Sequence, residues 1–382
     1  MKISLADFCN RRLTDENLIY LAFLSVFLPY YITAVFLIAI PVYLFFTHRL
    51  DGLFRKNSTV WIIVFTLYSA IVAACNLNLI GVICSIGFFL LMIILLYTRK
   101  RFTVHSFERG LDICCIAGTV TSLLCFAEYA WNMLRPVQSG IYRCRLYFFN
   151  CNYLATVLAT VIIICGYKVL SGRRRKMWYY AAAVFCAFGA YLTGSLLVWV
   201  EVLIGMAALL LLMRKHQMLS ILLLLAGTAC IVLYCVPELL PRIQDSNITT
   251  DNRVVIWRTS LQAIAKSPIF GRGFLTYYHI YSDFPGSYPT THAHNILLEP
   301  ILSFGIVGTA LMLIPLIYYY RRVILCRNAQ NKLNATSLIL ALSCALVIHG
   351  TTDLTFMWIQ TGLLYCLIMG GVGIEERMLK ID

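Results

Sequence analysis

The chain has 382 residues, of which 60% are hydrophobic and only 13% are charged. Soluble domains carry about a quarter charged residues, so this composition excludes a soluble enzyme. The net charge of +14 would suit nucleic acid, but no motif interleaves basic with aromatic residues, which argues against a nucleic-acid partner.

Apolar segments follow one another along the chain, and several reach about 20 residues, enough to cross roughly 30 Å of hydrocarbon. The first two are short and joined at Pro29, so they form either a hairpin or one kinked helix. The predicted segments cover residues 18–29, 32–47, 59–75, 77–97, 109–130, 152–170, 178–193, 195–213, 219–235, 294–320, 334–350 and 354–372.

Short basic clusters stand between these segments, as is typical of cytoplasmic membrane loops. They include Arg99-Lys100-Arg101, Arg173-Arg174-Arg175-Lys176, Arg214-Lys215 and Arg321-Arg322. Placing both termini in the cytoplasm leaves most of the 31 Lys and Arg inside. The sequence therefore predicts an all-α, polytopic membrane protein of about 11–12 transmembrane helices.

Most of the 15 cysteines lie inside apolar runs, where a thiol behaves as a small hydrophobe. No CxxC pair and no Cys/His metal spacing occurs in the sequence. Cys144 and Cys151 share an outer segment, so a disulfide between them is an alternative to two free thiols.

A long outward-facing loop, residues 236–293, separates two groups of transmembrane helices, residues 1–235 and 294–382. Long loops in compact proteins are more often functional than idle. A second outer segment, residues 131–150, carries Arg143 and Arg145.

The long loop contains a predicted helix over 252–266, with Asp251 as its N-cap. Val254, Trp257, Leu261, Ile264 and Ala265 form its apolar stripe, and Thr259 points away. Arg253 and Arg258 border the stripe. They either clamp a phosphate or snorkel from an interfacial helix toward lipid headgroups.

His292 and His294 precede the next apolar segment, and both face one site only if the chain is extended there. A histidine at this boundary can act as a general base, or it can have no chemical task. A zinc pair lacks further ligands at suitable spacing. Glu299 lies within the apolar helix, where an acid is costly and therefore a functional candidate.

Two further features of the apolar helices were open to interpretation. Gly305 and Gly308 predict a close helix–helix contact through small residues. Glu201 is the clearest mid-membrane charge, and it binds a cation or, as we favour, pairs with an arginine.

The order of these residues resembles the O-antigen ligase and polymerase family of bacterial envelopes. The resemblance rests on Arg253-(x3)-Trp257, Pro268-(x2)-Gly271-Arg272-Gly273 and His294-Asn295-(x2)-Leu298-Glu299-(x5)-Gly305. Weaker similarity lies in Arg145-(x4)-Asn150-Cys151-Asn152 and in His349-Gly350 with Asp353.

The resemblance implies a GT-C-like membrane glycosyltransferase in the bacterial cytoplasmic membrane, with its active face outward. It would need no metal or cofactor and would move a glycan, with inversion, from an undecaprenyl-pyrophosphate carrier to a hydroxyl on a glycan or lipid-linked acceptor. His294 and Arg253 would be catalytic. Substrate contacts would come from Arg258, Arg272, Arg145, Arg143, His292, Asn295 and Glu299.

The chain departs from the family where an arginine usually follows Ser195, because Leu196 stands there instead. Arg143, Arg145 or Arg272 substitutes for it, or this member works differently or is inactive. The sequence does not distinguish a ligase from a polymerase. A lipid-linked-glycan transporter and a non-catalytic scaffold remain alternatives.

Overall fold

The computed structural model describes residues 13–55, 57–134, 142–172, 176–239, 246–328 and 335–375. The predicted basic cluster at Arg173–Arg175 lies outside the described residues. Within the described part, the chain is helical, with no strand. The helices are α1 Asp15–Ser25, α2 Tyr30–Phe46, α3 Asn57–Cys75, α4 Leu79–Arg101, α5 Val104–Leu134, α6 Cys151–Leu170, α7 Lys176–Leu192, α8 Leu197–Leu212, α9 His216–Cys235, α10 Ser246–Lys266, α11 Thr276–Ile280, α12 Leu298–Asn328, α13 Ala335–Gly350 and α14 Ile359–Met369.

The predicted polytopic membrane protein is confirmed. Among the described residues, six helices are long and apolar enough to cross a membrane, and four shorter apolar helices accompany them. The long helices are α3, α4, α5, α6, α9 and α12, and the shorter ones are α2, α8, α13 and α14.

α6 is the central helix, and it packs against α5, α7, α8, α13 and α14. Most of its side chains are buried, whereas α9 buries none of its residues and lies at the periphery. Because α6 is enclosed by neighbouring helices, its first residues are held in a fixed position relative to α13 and α14. The candidate functional site includes a residue from this first turn of α6.

α1 and α2 form a hairpin and not one kinked helix. Arg49, after α2, donates to Asp15 at the start of α1 over 2.8 Å, so these two ends lie together. At the other end, the Gln360 side chain donates to the carbonyls of Val26 and Leu28 in the turn. The hairpin therefore runs from the end of the bundle that holds Asp15 and Arg49 to the end where α14 begins.

The long loop packs on the ends of α3, α4 and α12. Tyr68 of α3 donates to the carbonyls of Phe270 and Phe304, and Asn78 donates to those of Arg272 and Phe274. The loop also has a small core of its own, formed by Ile256, Ala263, Tyr277, Ile280, Phe284, Ala293 and Leu302.

Two predictions about α10 were wrong. The helix begins at Ser246, so Asp251 lies inside it and is not its N-cap. No Pro or Gly interrupts residues 246–251, and the helix continues through them. The buried face holds Ile256, Ser260 and Ala263 together with Thr259, whereas the predicted stripe members Val254 and Leu261 are exposed.

The α12 glycines make two different contacts. Gly308 packs against the Tyr68 ring of α3, which is the predicted close helix contact. Gly305 instead interrupts α12 with φ of 61°, and the backbone of Ile269 and Phe270 packs directly on it. The Ser303 carbonyl accepts hydrogen bonds from Arg272 and Gly273, which fixes the loop on this break.

We predict that Gly305→Ala destabilises the protein by about 2 kcal/mol or more, because its backbone conformation is unfavourable for other residues and a Cβ would meet the Ile269 carbonyl. Thermal unfolding of the purified protein measures this. Gly227→Ala on α9 is the control, since nothing lies within 4 Å of a Cβ there. Equal melting temperatures for the two variants would contradict the prediction.

Candidate functional site

The predicted histidines meet an aspartate and an asparagine from distant parts of the chain. His292 and His294 lie just before α12, Asp353 follows α13, and Asn152 lies in the first turn of α6. The enclosed position of α6 and the packing of α8 against α13 bring these elements together. The Ile296 amide also donates to the Gly350 carbonyl over 2.6 Å, which fixes the histidine segment on the end of α13.

His294 is oriented by Asp353. Its Nδ1 lies 3.0 Å from Asp353 Oδ1, and its Nε2 lies 2.8 Å from the Thr290 hydroxyl. Because an ionised carboxylate only accepts, Nδ1 carries the proton in the neutral imidazole. Nε2 then has its lone pair directed at a hydroxyl group, which is the arrangement of a general base. The side chain is partly exposed, so a substrate can reach it.

Asp353 is buried and fully engaged. Its Oδ1 also accepts from the Leu354 amide over 2.8 Å, and Oδ2 accepts from Asn152 Nδ2 over 2.8 Å. Burial by itself raises the pKa of this carboxyl, but the hydrogen bond from His294 and the nearby His294, His292 and His349 outweigh it. The pKa of Asp353 is therefore held well below its usual range, and the group stays ionised.

His292 lies beside His294, with ring centroids 4.1 Å apart. The two side chains converge because His294 adopts a left-handed backbone, with φ of 49°. Burial, and secondarily the neighbouring His294, lowers the pKa of His292 to about 3, so this ring is neutral. Its Nδ1 accepts from the His294 amide over 3.2 Å, which places the His292 proton on Nε2.

Metal binding is the alternative function of this cluster. His292, His294 and Asp353 each offer a ligand atom, and these atoms lie within 4.8 Å of one another. Sequence reasoning missed Asp353 as a third ligand because it is far away in the chain. However, the hydrogen bonds described above place protons on His292 Nε2 and His294 Nδ1, and a protonated nitrogen cannot bind a metal. Metal binding would require both rings to give up these hydrogen bonds.

Arg143 lies at the turn where Leu196 replaces the expected arginine. Its Nε donates to the Thr193 carbonyl over 2.8 Å, and its side chain packs against Gly194. Its Nη2 donates to Asn152 Oδ1 over 2.9 Å. Since Asn152 also binds Asp353, a continuous series of hydrogen bonds links the Arg143 guanidinium to the His294 ring.

Arg253 is half-buried on α10, and its charge acts on the His349 imidazole, which Asp353 also influences. His349 Nδ1 lies 2.6 Å from Glu201 Oε2. The prediction that Glu201 pairs with an arginine was therefore wrong, because α13 packs on α8 and presents a histidine instead.

The remaining candidates lie around this cluster with different roles. Asn295 accepts from the Leu297 and Leu298 amides and so caps α12. Glu299 accepts hydrogen bonds from the Ala293 amide and the Ser303 hydroxyl. These contacts hold the histidine segment against the first turns of α12.

The other three candidate arginines lie apart from the hydrogen bonds described for this cluster. Arg258 and Arg145 are exposed, and the Arg272 side chain lies near Ser267 at 3.5 Å. Cys144 and Cys151, on the segment that carries Arg143 and Arg145, are both free thiols, so the disulfide alternative was wrong.

Residues 181–313 match the family model described as O-antigen ligase. The matched region, about a third of the chain, contains Arg253 and His294 and ends before Asp353. It confirms the resemblance seen in the sequence and supports the O-antigen ligase family for this chain. No curated protein matches the chain. Together with the apolar helices, the family indicates a multi-pass bacterial inner-membrane protein of the ligase or polymerase type, acting on lipid-linked glycans.

The pKa of His292 generates a prediction about stability. Below its ordinary pKa of 6.5, the unfolded chain binds a proton at His292 that the folded protein excludes down to about pH 3. Stability contributed by the neutral ring is thus present above pH 6.5 and is lost as the pH falls toward 3, by on the order of 2 kcal/mol at pH 5.

His292→Asn retains an acceptor for the His294 amide but does not titrate. We expect its melting temperature to fall less than that of the wild type between pH 6.5 and pH 5. A parallel decrease in the two proteins would show that His292 does not titrate on unfolding.

Proposed function

We propose that the protein transfers a glycan from undecaprenyl pyrophosphate to a hydroxyl group of an acceptor sugar, at the outer face of the membrane. The observation that carries this proposal is the His294 imidazole, held between Asp353 on one nitrogen and a hydroxyl on the other. Its position opposite the end of the bundle that holds Asp15, Arg49 and Arg101 supports an outward site.

His294 Nε2 would remove the proton of the acceptor hydroxyl, and the acceptor oxygen would attack the anomeric carbon of the donor sugar. The bond from that carbon to the pyrophosphate oxygen breaks, and its electron pair leaves with the pyrophosphate. Attack from the opposite face inverts the configuration. Asp353 stabilises the imidazolium that forms, and a base of this kind contributes about 10²–10⁴-fold to the rate.

The leaving pyrophosphate develops negative charge, and fixed cations stabilise it most effectively. Arg253 would supply one of them, because its charge acts on the His349 imidazole, which lies beside this cluster. Arg143 would supply the second, in place of the arginine absent at position 196. Asn152 contacts both Arg143 and Asp353, so it would keep the cation and the base in one geometry.

The reaction would proceed without a metal ion. The Asp353 carboxylate orients His294, and Nδ1 of the neutral His292 accepts a hydrogen bond from the His294 amide. These contacts use the candidate ligands for positioning the base, which supports a metal-independent mechanism. Ligase and polymerase share this chemistry and differ in the acceptor, so the assay must offer both a lipid-linked repeat and a separate acceptor glycan.

His294→Ala should reduce transfer by about 10²-fold or more, because the acceptor hydroxyl loses its base. The assay uses purified protein, undecaprenyl-pyrophosphate-linked glycan and acceptor in EDTA. His279→Ala is the matched control, since His279 is an exposed histidine of α11 that contacts the Asn76 carbonyl. Strict dependence on added metal would refute the mechanism, and movement of the carrier across liposomes without bond formation would identify a transporter.

Arg143→Gln should reduce transfer by about 10²-fold, the usual effect of removing one charge-stabilising group. Adding Leu196→Arg to this variant should raise its transfer activity about tenfold, because an arginine returns to the same turn. Adding Leu196→Gln instead is the control, which supplies length without charge. If the arginine and the glutamine have the same effect, Arg143 is a structural residue and does not substitute for the missing cation.

A further inference from the structure

Thr290 occupies the hydrogen-bonding position through which His294 would act as a base. Its hydroxyl lies 2.8 Å from His294 Nε2, while Nδ1 on the other side of the ring contacts Asp353. A neutral imidazole has one acceptor nitrogen, with a single lone pair. Because that lone pair already receives the Thr290 hydroxyl, a second hydroxyl can be deprotonated there only after Thr290 has withdrawn.

The surroundings of Thr290 allow this withdrawal. On one side the histidine segment is fixed to α12, since the Ala293 amide donates to Glu299 over 2.7 Å. On the other side the Tyr277 hydroxyl donates to the Tyr288 carbonyl over 3.0 Å. Thr290 lies between these two anchors, in an irregular and largely exposed stretch, and is itself only partly buried. Rotation of its side chain about the Cα–Cβ bond would therefore free Nε2 while the base stays in place.

Water is the competitor of the acceptor at this position. The His294 side chain is 23% exposed, so water reaches the ring as a sugar hydroxyl does. A water molecule on Nε2 would give its proton to that nitrogen, and its oxygen would attack the anomeric carbon of the donor. The bond to the pyrophosphate oxygen would break, and its electron pair would leave with the pyrophosphate. Hydrolysis would thus waste the donor, and a transferase must prevent it until the acceptor is bound.

We propose that the Thr290 hydroxyl holds the place of the acceptor hydroxyl until the acceptor binds, and so protects the donor from hydrolysis. This role rests on the proposed function for the identity of the reaction. Thr290 has an advantage over water because its hydroxyl is already attached beside the base. An acceptor glycan makes further contacts with the protein, and their binding energy offsets the displacement of Thr290. Thr290 therefore selects an acceptor that is bound at more than one point.

Two other roles would give the same contact, and they differ from this one in the sign of their effects. If Thr290 only orients the ring, removing its hydroxyl lowers transfer and hydrolysis together. If Thr290 relays the acceptor proton to Nε2, transfer is lost with the hydroxyl. If Thr290 holds the place of the acceptor, hydrolysis rises and transfer persists.

The experiment compares the wild type with Thr290→Val, which keeps the branched shape and lacks the hydroxyl. The first measurement uses no substrate: diethyl pyrocarbonate reacts with an unprotonated imidazole nitrogen, and peptide mass spectrometry gives its rate at His294 relative to the exposed His279. The second follows undecaprenyl-pyrophosphate-linked glycan, as free glycan released without acceptor and as transfer with acceptor. Thr291→Val is the matched control, because Thr291 is the exposed neighbouring threonine.

We expect Thr290→Val to raise the modification rate of His294 and the hydrolysis of the donor about fivefold each, the effect of one lost hydrogen bond. The acceptor KM should fall and transfer should persist. Thr290→Ser retains a hydroxyl and should return both rates to within about twofold of the wild type. Thr291→Val should change neither rate.

An unchanged modification rate at His294, or loss of transfer in Thr290→Val, would overturn the proposal. Transfer by the wild type without a rise in hydrolysis in Thr290→Val would overturn it as well and leave the proposed function standing. If the modification rate responds to Thr290 but the wild type neither transfers nor hydrolyses the donor, the proposed function fails, and the role of Thr290 as a placeholder fails with it.

Discussion

A carboxylate buried at one end of a helical bundle must be compensated, and the contacts of Asp353 organise the rest of the site. Leaving such a charge without partners would cost several kcal/mol, so each oxygen has a donor: His294 and the Leu354 amide on one, and Asn152 on the other. These donors come from the loop before α12, the turn after α13 and the start of α6. One buried charge therefore fixes the position of the base, and through Asn152 it is also linked to the Arg143 guanidinium.

Long-range packing explains why the site could be predicted only in part. The transmembrane helices follow from runs of apolar residues, because their lengths are set by the bilayer and not by their neighbours. Arg253 and His294 were proposed as site residues from the resemblance to the family's motifs. The contact between His294 and Asp353 spans 59 residues and depends on α13 packing against α8, which no local pattern encodes. Thr290, which hydrogen-bonds the base, carries no sequence signal because a single threonine in a polar loop is unremarkable by composition.

The wrong predictions in the long loop have a common cause. An amphipathic pattern predicts which side chains are apolar, but it predicts their burial only when water covers the opposite face. Beside a membrane, Val254 and Leu261 can be exposed while Ser260 is buried against the loop core. Likewise, Gly305 matched a motif for helix packing, yet the chain uses it to interrupt α12 so that the Gly271 turn can pack there.

The central claim is that Arg253, Arg143 and His294 act on one pyrophosphate and one acceptor hydroxyl. The most direct measurement is an experimental structure of the protein in lipid nanodiscs with undecaprenyl pyrophosphate bound. The account predicts that both guanidinium groups contact the pyrophosphate, and that His294 Nε2 faces the space above it while Asp353 remains on Nδ1. A pyrophosphate bound at the opposite end of the bundle, or out of reach of Arg253 and Arg143, would contradict it.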